Sequence, residues 1–278
     1  MKPFIIVLFM AALLGCSNQE KIDYQQIESY QDHSVPTLEM DLTDTSRVLL
    51  IFPHADDEIV VGGLIMFLKE QGASIHLLTL CGHNEARGQE LNCSAARLGI
   101  EKVDVAGLVN NTWDDIMEDK ILFWYDQEDS IKRIIQNKIN DFKPDVLVTY
   151  DTEIGGYGHP EHRISAQLTE DLFLENKDNP EFRPKHLLQL TLSDKLESFF
   201  VAKSPGYEWA KKLTGSDGLP DPDFALDIRP YWEAKNEAGL CYQSQIKILR
   251  KFSLVYDEEN KQSHINAFSK EYYTLLKR

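Results

Sequence analysis

The stretch "LLIFPHADDEIVVGGLIMFL", residues 49–68, constrains the fold of this chain more than any other. Its continuous apolar start is typical of a strand buried on both faces of a parallel sheet, and its apolar end has helical spacing. Four ionisable residues, His54, Asp56, Asp57 and Glu58, lie between these two buried segments. The pattern predicts a strand-to-helix turn that carries charge where the chain reaches the surface.

The same alternation of strand-like and helix-like segments continues along the chain. Strand patterns cover 47–52, 74–81, 102–108 and 144–151, and helix patterns cover 58–71, 85–98, 126–142 and 161–175. This order predicts an α/β fold of the Rossmann-like, doubly wound kind, with a mostly parallel sheet and helices on both faces. Beyond residue 180 we expect two further strands, "KHLLQLTL" and "FALDI", and one long helix, "PYWEAKNEAGLCYQSQIKILRKF". Residues 194–223 are rich in turn formers and predict an irregular insertion or lid.

Two clusters of ionisable residues follow predicted strands. The second, in "YDTEIGGYGHPEHR", contains His159 and His162 after the fourth strand. In open parallel sheets, sites form at the carboxyl ends of strands where the strand order reverses, so neighbouring first and fourth strands would bring the clusters together. Two imidazoles and a carboxylate are the donor set of a catalytic zinc site, and His54, Asp57 and His162 supply it. A lone histidine is more often structural, but two clusters at two strand ends favour a site.

The motifs "PHADDE" and "GHPEH" resemble those of the PIG-L/LmbE family of metal-dependent N-acetylglucosamine-type deacetylases, (A/P)HPDDE and HPDH. Arg87 and Glu90 keep the spacing of a further family motif, "TWDD" at 112–115 falls where relatives place a pocket carboxylate, and "KNEAGLCYQSQ" is in register with KxxALxxHxSQ. The chain departs from the family at Ala55 (proline), Glu161 (aspartate) and Tyr242 (often histidine).

The resemblance implies a role for each matching residue. His54, Asp57 and His162 would bind Zn²⁺, although another divalent metal such as Fe²⁺ is not excluded by the donor set. Asp56 would be the general base, and His159 would donate to the developing oxyanion or protonate the leaving amine.

Three further residues receive predictions. Arg87 and Asp114 are expected near the sugar hydroxyls, and for Arg87 the alternative is an ion pair on its helix. Glu58, in the first turn of a helix, is expected to be structural.

The implied activity is that of a zinc-dependent hydrolase that removes an acetyl group from an N-acetylated amino sugar in a small molecule, an envelope glycan or a glycolipid. The alternative is a non-catalytic glycan-binding module of the cell surface with the same fold. A dinucleotide-binding protein is disfavoured because the first turn has no GxGxxG and its acidic groups repel a pyrophosphate. The net charge of −16 argues against a nucleic-acid partner.

The first sixteen residues, "MKPFIIVLFMAALLGC", predict a bacterial lipoprotein signal that ends at a lipidated Cys16. The alternatives are an ordinary cleaved signal or an uncleaved anchor. Residues 17–46 would be a polar tether and 47–278 the catalytic domain, held to the membrane only by the lipid. Ser17 favours the outer membrane. The remaining cysteines, Cys81, Cys93 and Cys241, form no CxxC pair and cannot all be paired because their number is odd. We expect them to be small buried apolar residues.

Overall fold

The computed structural model describes residues 22–37, 46–111 and 122–277. Within these ranges seven strands form one sheet: β1 (Arg47–Phe52), β2 (Ser74–Cys81), β3 (Lys102–Leu108), β4 (Val146–Tyr150), β5 (His186–Thr191), β6 (Phe224–Asp227) and β7 (Lys270–Lys277). Their spatial order is β3-β2-β1-β4-β5-β7-β6. The first five strands are parallel, and β7 runs antiparallel between β5 and β6. The predicted α/β fold with a mostly parallel sheet is confirmed.

Twelve α-helical segments connect the strands in the described ranges. They are α1 (Tyr24–Glu28), α2 (Gly62–Glu70), α3 (Glu85–Leu98), α4 (Leu122–Tyr125), α5 (Glu128–Phe142), α6 (Gly155–Gly158), α7 (Pro160–Glu175), α8 (Asp194–Phe200), α9 (Pro205–Thr214), α10 (Trp232–Gly239), α11 (Ile246–Lys251) and α12 (Lys261–Ala267). A 3₁₀ turn, Asp57–Val61, precedes α2. The end of α3 matches the sequence prediction because Gly99 adopts a left-handed conformation that stops the helix.

The sheet separates two hydrophobic cores. Successive side chains of a strand point to opposite faces, so β1 contributes Leu50 and Phe52 to one core and Leu49 and Ile51 to the other. Helices α2, α3 and α10 cover the first face, and α5 and α7 cover the second. This two-sided burial explains why β1 reads as an unbroken apolar run.

The strand order reverses at β1, which lies between β2 and β4. Leu49 of β1 is in register with Leu147 of β4. The carboxyl ends of these two parallel strands therefore lie side by side, as the placement of the two charged clusters predicts.

Two predictions about the C-terminal half are wrong. Residues 194–223 contain two helices, α8 and α9, because Ser193 and Ser204 begin helices within a segment otherwise rich in turn formers. The predicted long helix is two helices, α10 and α11, because the chain turns inward between them to bury Tyr242. The sequence reasoning also missed β7.

The tether predicted over residues 17–46 is wrong for residues 22–37, which pack on the domain. Ile27 is fully buried, and the Gln31 side-chain amide donates to the carbonyl of Ala267 at 2.6 Å. Thr37 forms a backbone bridge with Ala225 of β6. One buried isoleucine and one buried amide are enough to fix a short polar segment, and neither gives a periodic signal in the sequence.

The prediction that the cysteines are small buried apolar residues is wrong for two of the three. Cys93 of α3 and Cys241, just after α10, form a disulfide across 148 residues of sequence. Cys81 at the end of β2 keeps a buried free thiol. The bridge therefore links α3 covalently to the segment that follows α10.

None of the helices in residues 22–37, 46–111 and 122–277 combines the length and apolarity needed to cross a bilayer. Cys16 and Asp114 lie outside the described residues, so the predictions about them are unchanged by the structure.

Candidate metal centre and active site

In the loop after β1, the carboxylates of Asp56 and Asp57 have different partners. The Asp57 Oδ2 atom accepts a hydrogen bond of 2.7 Å from the backbone N–H of His54. Asp56 has a φ of 105°, which is rare for a residue other than glycine. This strained conformation turns the Asp56 side chain away from that of Asp57, and residues in such conformations cluster at functional sites.

Glu58 and Arg87 hold Asp56 and the residue before it in place. Its backbone N–H donates to the Glu58 carboxylate at 3.1 Å. Its own carboxylate pairs with Arg87 Nη2 at 2.9 Å, and Arg87 also donates from Nε and Nη2 to the carbonyl of Ala55 at 3.1 and 2.6 Å. Arg87 therefore forms an ion pair with the loop after β1, which is similar to the ion pair predicted as the alternative role. A contact between Arg87 and sugar hydroxyls stays a prediction.

Glu58 is fully buried and anchors the loop, as a structural role requires. Its Oε1 atom accepts hydrogen bonds of 2.6 Å from Ser94 and from Tyr242. Tyr242 occupies the position where members of the resembling family often have histidine. Its hydroxyl donates to this buried carboxylate. The residue is therefore part of the support of the loop.

The loop after β4 is organised by one buried carboxylate. Asp151 accepts hydrogen bonds from the backbone N–H groups of Ile154, Gly155 and Gly156 at 2.6, 3.1 and 2.7 Å. Burial raises the pKa of Asp151 to about 6, although these hydrogen bonds oppose the shift. The loop then leads into α7, whose first residue is Pro160, and so delivers the second cluster to the end of the sheet.

His54, Asp57 and His162 converge at the point where the two loops meet. His54 Nδ1 lies 3.1 Å from His162 Nε2, Asp57 Oδ2 lies 3.4 Å from His54 Nδ1, and Asp57 Oδ1 lies 3.3 Å from His162 Nε2. Donor atoms bound to a tetrahedral metal at about 2.0–2.2 Å are themselves about 3.4 Å apart. The three side chains therefore fit one small metal ion, and their role as ligands stays a prediction.

The carboxylates of Asp56 and Asp57 differ in their electrostatics. Burial by itself raises the pKa of Asp57, but His162 and His54 hold it well below its ordinary value. Burial and the charge of Asp57 raise the pKa of Asp56, against the opposing charge of Arg87. One carboxylate is therefore a stable anion suited to bind a cation, and the other is a stronger base than an ordinary aspartate.

His159 lies beside this triangle. Its ring centroid is 4.7 Å from that of His54 and 4.8 Å from that of His162, and these three histidines form a group that can hold a metal ion. The His159 Nδ1 atom accepts the backbone N–H of Glu161 at 3.3 Å. Burial and the neighbouring imidazoles lower its pKa well below the ordinary value. A neutral imidazole that accepts at Nδ1 carries its ring proton on Nε2, where it can serve as a hydrogen-bond donor.

Glu161 is the important residue that the sequence reasoning missed. Its Oε2 atom lies 2.5 Å from His54 Nε2, and its Oε1 atom accepts from the backbone and side-chain amides of Asn111 at 2.9 and 2.6 Å. The Cys81 thiol lies 3.4 Å from Oε2, and His54, Cys81 and Glu161 form a second group able to hold a metal ion. In the sequence, Glu161 differs from its surroundings only in replacing the aspartate of the family motif HPDH.

Comparison with a family model supports the resemblance. Residues 49–173 match the PIG-L model, described as GlcNAc-PI de-N-acetylase, and this segment contains both charged loops. The resemblance predicted from the motifs is confirmed.

Several named proteins are similar over most of the chain. A 1D-myo-inositol 2-acetamido-2-deoxy-alpha-D-glucopyranoside deacetylase of Thermobifida fusca is 27% identical over 270 residues, covering 83% of this chain and 92% of the relative. An enzyme of the same name from Acidothermus cellulolyticus is 25% identical, covering 83% of this chain and 88% of the relative. The similarity to both extends well beyond the segment matched by the family model.

Solved structures share the fold. A deacetylase from the teicoplanin biosynthesis pathway has a TM-score of 0.56 at 16% identity, covering 84% of this chain and 99% of that one. The hydratase GalB from Pseudomonas putida KT2440 has a TM-score of 0.52 at 15% identity, covering 84% of this chain and 97% of that one. Because a deacetylase and a hydratase share this architecture, the reaction must be argued from the site.

Proposed function

We propose that this chain, whose residues 49–173 carry a PIG-L family domain, is a metal-dependent hydrolase that removes the acetyl group of an N-acetylated amino sugar. The observation that carries the proposal is the triangle of His54, Asp57 and His162 with a separately oriented carboxylate, Asp56, beside it. A binding module needs no strained second carboxylate next to a metal site.

His54, Asp57 and His162 would hold the metal. Two imidazoles and a carboxylate suit Zn²⁺, and Fe²⁺ accepts the same donors. A metal in this position acts as a Lewis acid that polarises the amide carbonyl and lowers the pKa of water. Asp57 stays ionised there because its pKa is low.

Asp56 would take the proton from the attacking water. Its raised pKa makes proton transfer more favourable than for an ordinary aspartate, and Arg87 fixes the direction of its carboxylate. His159 would donate a hydrogen bond from Nε2 to the developing oxyanion, and the proton that Asp56 takes from the water would pass to the leaving amine. Its Nδ1 atom already accepts a backbone N–H, which fixes the tautomer with the proton on the other nitrogen.

Glu161 would position the ligand His54. A histidine that binds metal through one nitrogen usually donates its other N–H to a carboxylate, and this contact sets the ring orientation and increases ligand basicity. The 2.5 Å contact between His54 Nε2 and Glu161 has this arrangement. The longer side chain of Glu161, compared with aspartate, contacts both His54 of the other loop and the amides of Asn111.

The substrate class is inferred from relatives. The enzymes of Thermobifida fusca and Acidothermus cellulolyticus are named as deacetylases of an inositol-linked 2-acetamido-2-deoxyglucoside. We infer that this chain acts on an N-acetylglucosamine-type conjugate, and that an exported enzyme would meet it in an envelope glycan or a glycolipid.

Export is a separate part of the proposal. Lys2, the apolar run that follows it and Cys16 support a lipoprotein signal with an acylated Cys16, and outer-membrane attachment is our preference. The Cys93–Cys241 disulfide supports an oxidising compartment, because cytosolic thiols are kept reduced. Cys16→Ser should release the protein from washed membranes. Membrane retention of that variant would indicate an uncleaved anchor.

Acetate release from N-acetylglucosamine conjugates by the metal-loaded protein tests the activity. Asp56→Asn should keep the metal and lose about 100- to 10,000-fold in turnover, and asparagine is chosen because it tolerates a positive φ. Asp57→Ala should instead lower metal occupancy. Equal metal loss in both variants would contradict the assigned roles, and glycan binding without any acetate release would favour a non-catalytic module.

A further inference from the structure

An apolar cavity of about 200 Å³ opens directly beside the candidate metal centre. Asp56, Asp57 and Tyr157 line one end of it. From there it extends between the β5–β7 part of the sheet and helices α8, α10 and α11. Its walls beyond the metal centre include Leu196 and Leu254. The roles described above for Asp56 and Asp57 concern only the end of the cavity that they line.

The charged and amide side chains that line the cavity away from the metal centre already have partners within the protein. Lys235 Nζ lies 2.6 Å from Glu271 Oε1, and Glu271 also accepts the backbone N–H groups of Gly63 and Leu64. Lys270 donates to the carbonyl of Asp32 at 2.7 Å. These groups therefore offer little to a polar ligand.

Other polar side chains of the lining include Thr191, which donates to the carbonyl of Pro220 at 2.6 Å, and Gln31, whereas the buried Ser253 hydroxyl has no hydrogen-bond partner among the described residues. The partners of Gln31 lie within the protein. Its amide nitrogen donates to the carbonyl of Ala267, and its amide oxygen accepts from the Tyr272 hydroxyl at 3.0 Å. A sugar ring placed here would lose hydrogen bonds to water without gaining enough partners in return. A chain of methylene groups has no such requirement and gains from leaving water.

We propose that this cavity holds a straight alkyl chain of the substrate, attached to the amino sugar whose amide lies at the metal centre. The orientation of the chain rests on the proposed deacetylase function, whereas its affinity for the cavity does not. A cavity of about 150 Å³ holds the six carbon atoms of a benzene ring, so one of about 200 Å³ accommodates roughly eight carbon atoms. The substrate is therefore amphiphilic, with a polar head at the metal and a tail in the cavity.

The chain can be attached at either of two points on the substrate. On the carbonyl side of the amide it would extend the acetyl group to a longer acyl group, and on the sugar side it would be part of the aglycone. Both have the same methylene chemistry, and two series of substrates distinguish them.

The first experiment measures kcat/KM with alkyl glycosides of N-acetylglucosamine, from methyl to decyl, and with N-acylglucosamines, from acetyl to decanoyl. In one series kcat/KM should rise about four-fold per methylene up to roughly eight carbons and then level off. Equal kcat/KM across both series would overturn the proposal. Absence of any turnover would instead contradict the proposed function.

A second measurement tests the cavity without catalysis. Calorimetric titration of the metal-loaded protein with straight-chain alcohols from butanol to decanol should show an affinity that rises about four-fold per methylene and then levels off. No dependence on chain length would overturn the proposal even if the enzyme hydrolyses acetylated sugars.

Substitutions of residues that line the cavity test where the alkyl chain binds. Leu192→Trp should fill part of the cavity and move the plateau to a shorter chain, and Leu254→Ala should enlarge it and move the plateau to a longer chain. Leu174→Trp is a matched control, because Leu174 is 48% exposed and lies outside the cavity. The same chain-length profile in Leu192→Trp and Leu174→Trp would contradict this placement.

Discussion

Removal of the Cys93–Cys241 disulfide should destabilise the protein and loosen the loop that holds Asp56. The bridge joins α3 to the segment between α10 and α11 across 148 residues. In the loop-entropy model, closing a loop of this length in the unfolded chain contributes about 5 kcal/mol. Engineered and native bridges often contribute less, so we expect a loss of about 2–5 kcal/mol in the free energy of unfolding.

The bridge also lies among the contacts that support the catalytic loop. Ser244 accepts from Arg87 Nη1 at 3.2 Å and donates to Glu90 at 2.5 Å, and Tyr242 donates to Glu58. These residues follow Cys241 directly, so loss of the bridge frees the segment that carries them. We therefore expect turnover to fall while metal content is retained, because His54, Asp57 and His162 do not depend on this segment.

Urea unfolding of the wild type and of the double variant Cys93→Ala/Cys241→Ala measures the effect. A thiol reductant should shift the wild-type curve to that of the double variant and leave the double variant unchanged. Cys81→Ala is the control for replacing a cysteine outside the bridge. A loss below about 1 kcal/mol in the double variant would refute the reasoning about the unfolded state.

Two other predictions concern single residues. Glu161→Gln should weaken metal binding about 10- to 100-fold in chelator competition, with partial recovery in Glu161→Asp, and unchanged affinity would exclude the positioning role. Burial lowers the pKa of His264 to about 4 in the folded protein. Because the unfolded chain takes up this proton near pH 6.5, the free energy of unfolding should fall as the pH drops from 6.5 to 4, and His264 should have no such effect above pH 6.5. His264→Phe should remove about 3 kcal/mol of that pH-dependent loss in unfolding experiments, whereas His33→Phe, at an exposed position, should not.

The sequence predicted the part of the site that depends on local pattern. Strand β1 is buried on both faces and is therefore continuously apolar, and the charged residues after it can only lie in the turn. The same holds for β4 and the loop that carries His159 and His162. Because parallel strands end at one edge of the sheet, placing β1 beside β4 was enough to bring the two clusters together.

The parts that the sequence did not predict depend on contacts between distant residues. Glu161 meets His54 across 107 residues, and no local period identifies such a pair. The disulfide is of the same kind, since cysteine spacing alone does not give pairing when one cysteine remains free. The break between α10 and α11 arises because Tyr242 reaches a buried carboxylate, which overrides the helical pattern of its neighbours.

The most direct test of the central claim is a titration of metal-free protein with Zn²⁺, following acetate release from an N-acetylglucosamine conjugate. Activity should be absent at the start, rise linearly and reach its maximum at one equivalent of metal per chain, and Asp57→Ala should lose this high-affinity transition. Full acetate release by the metal-free protein, or stoichiometric metal binding without any acetate release, would contradict the claim that His54, Asp57 and His162 form the centre of a metal-dependent deacetylase.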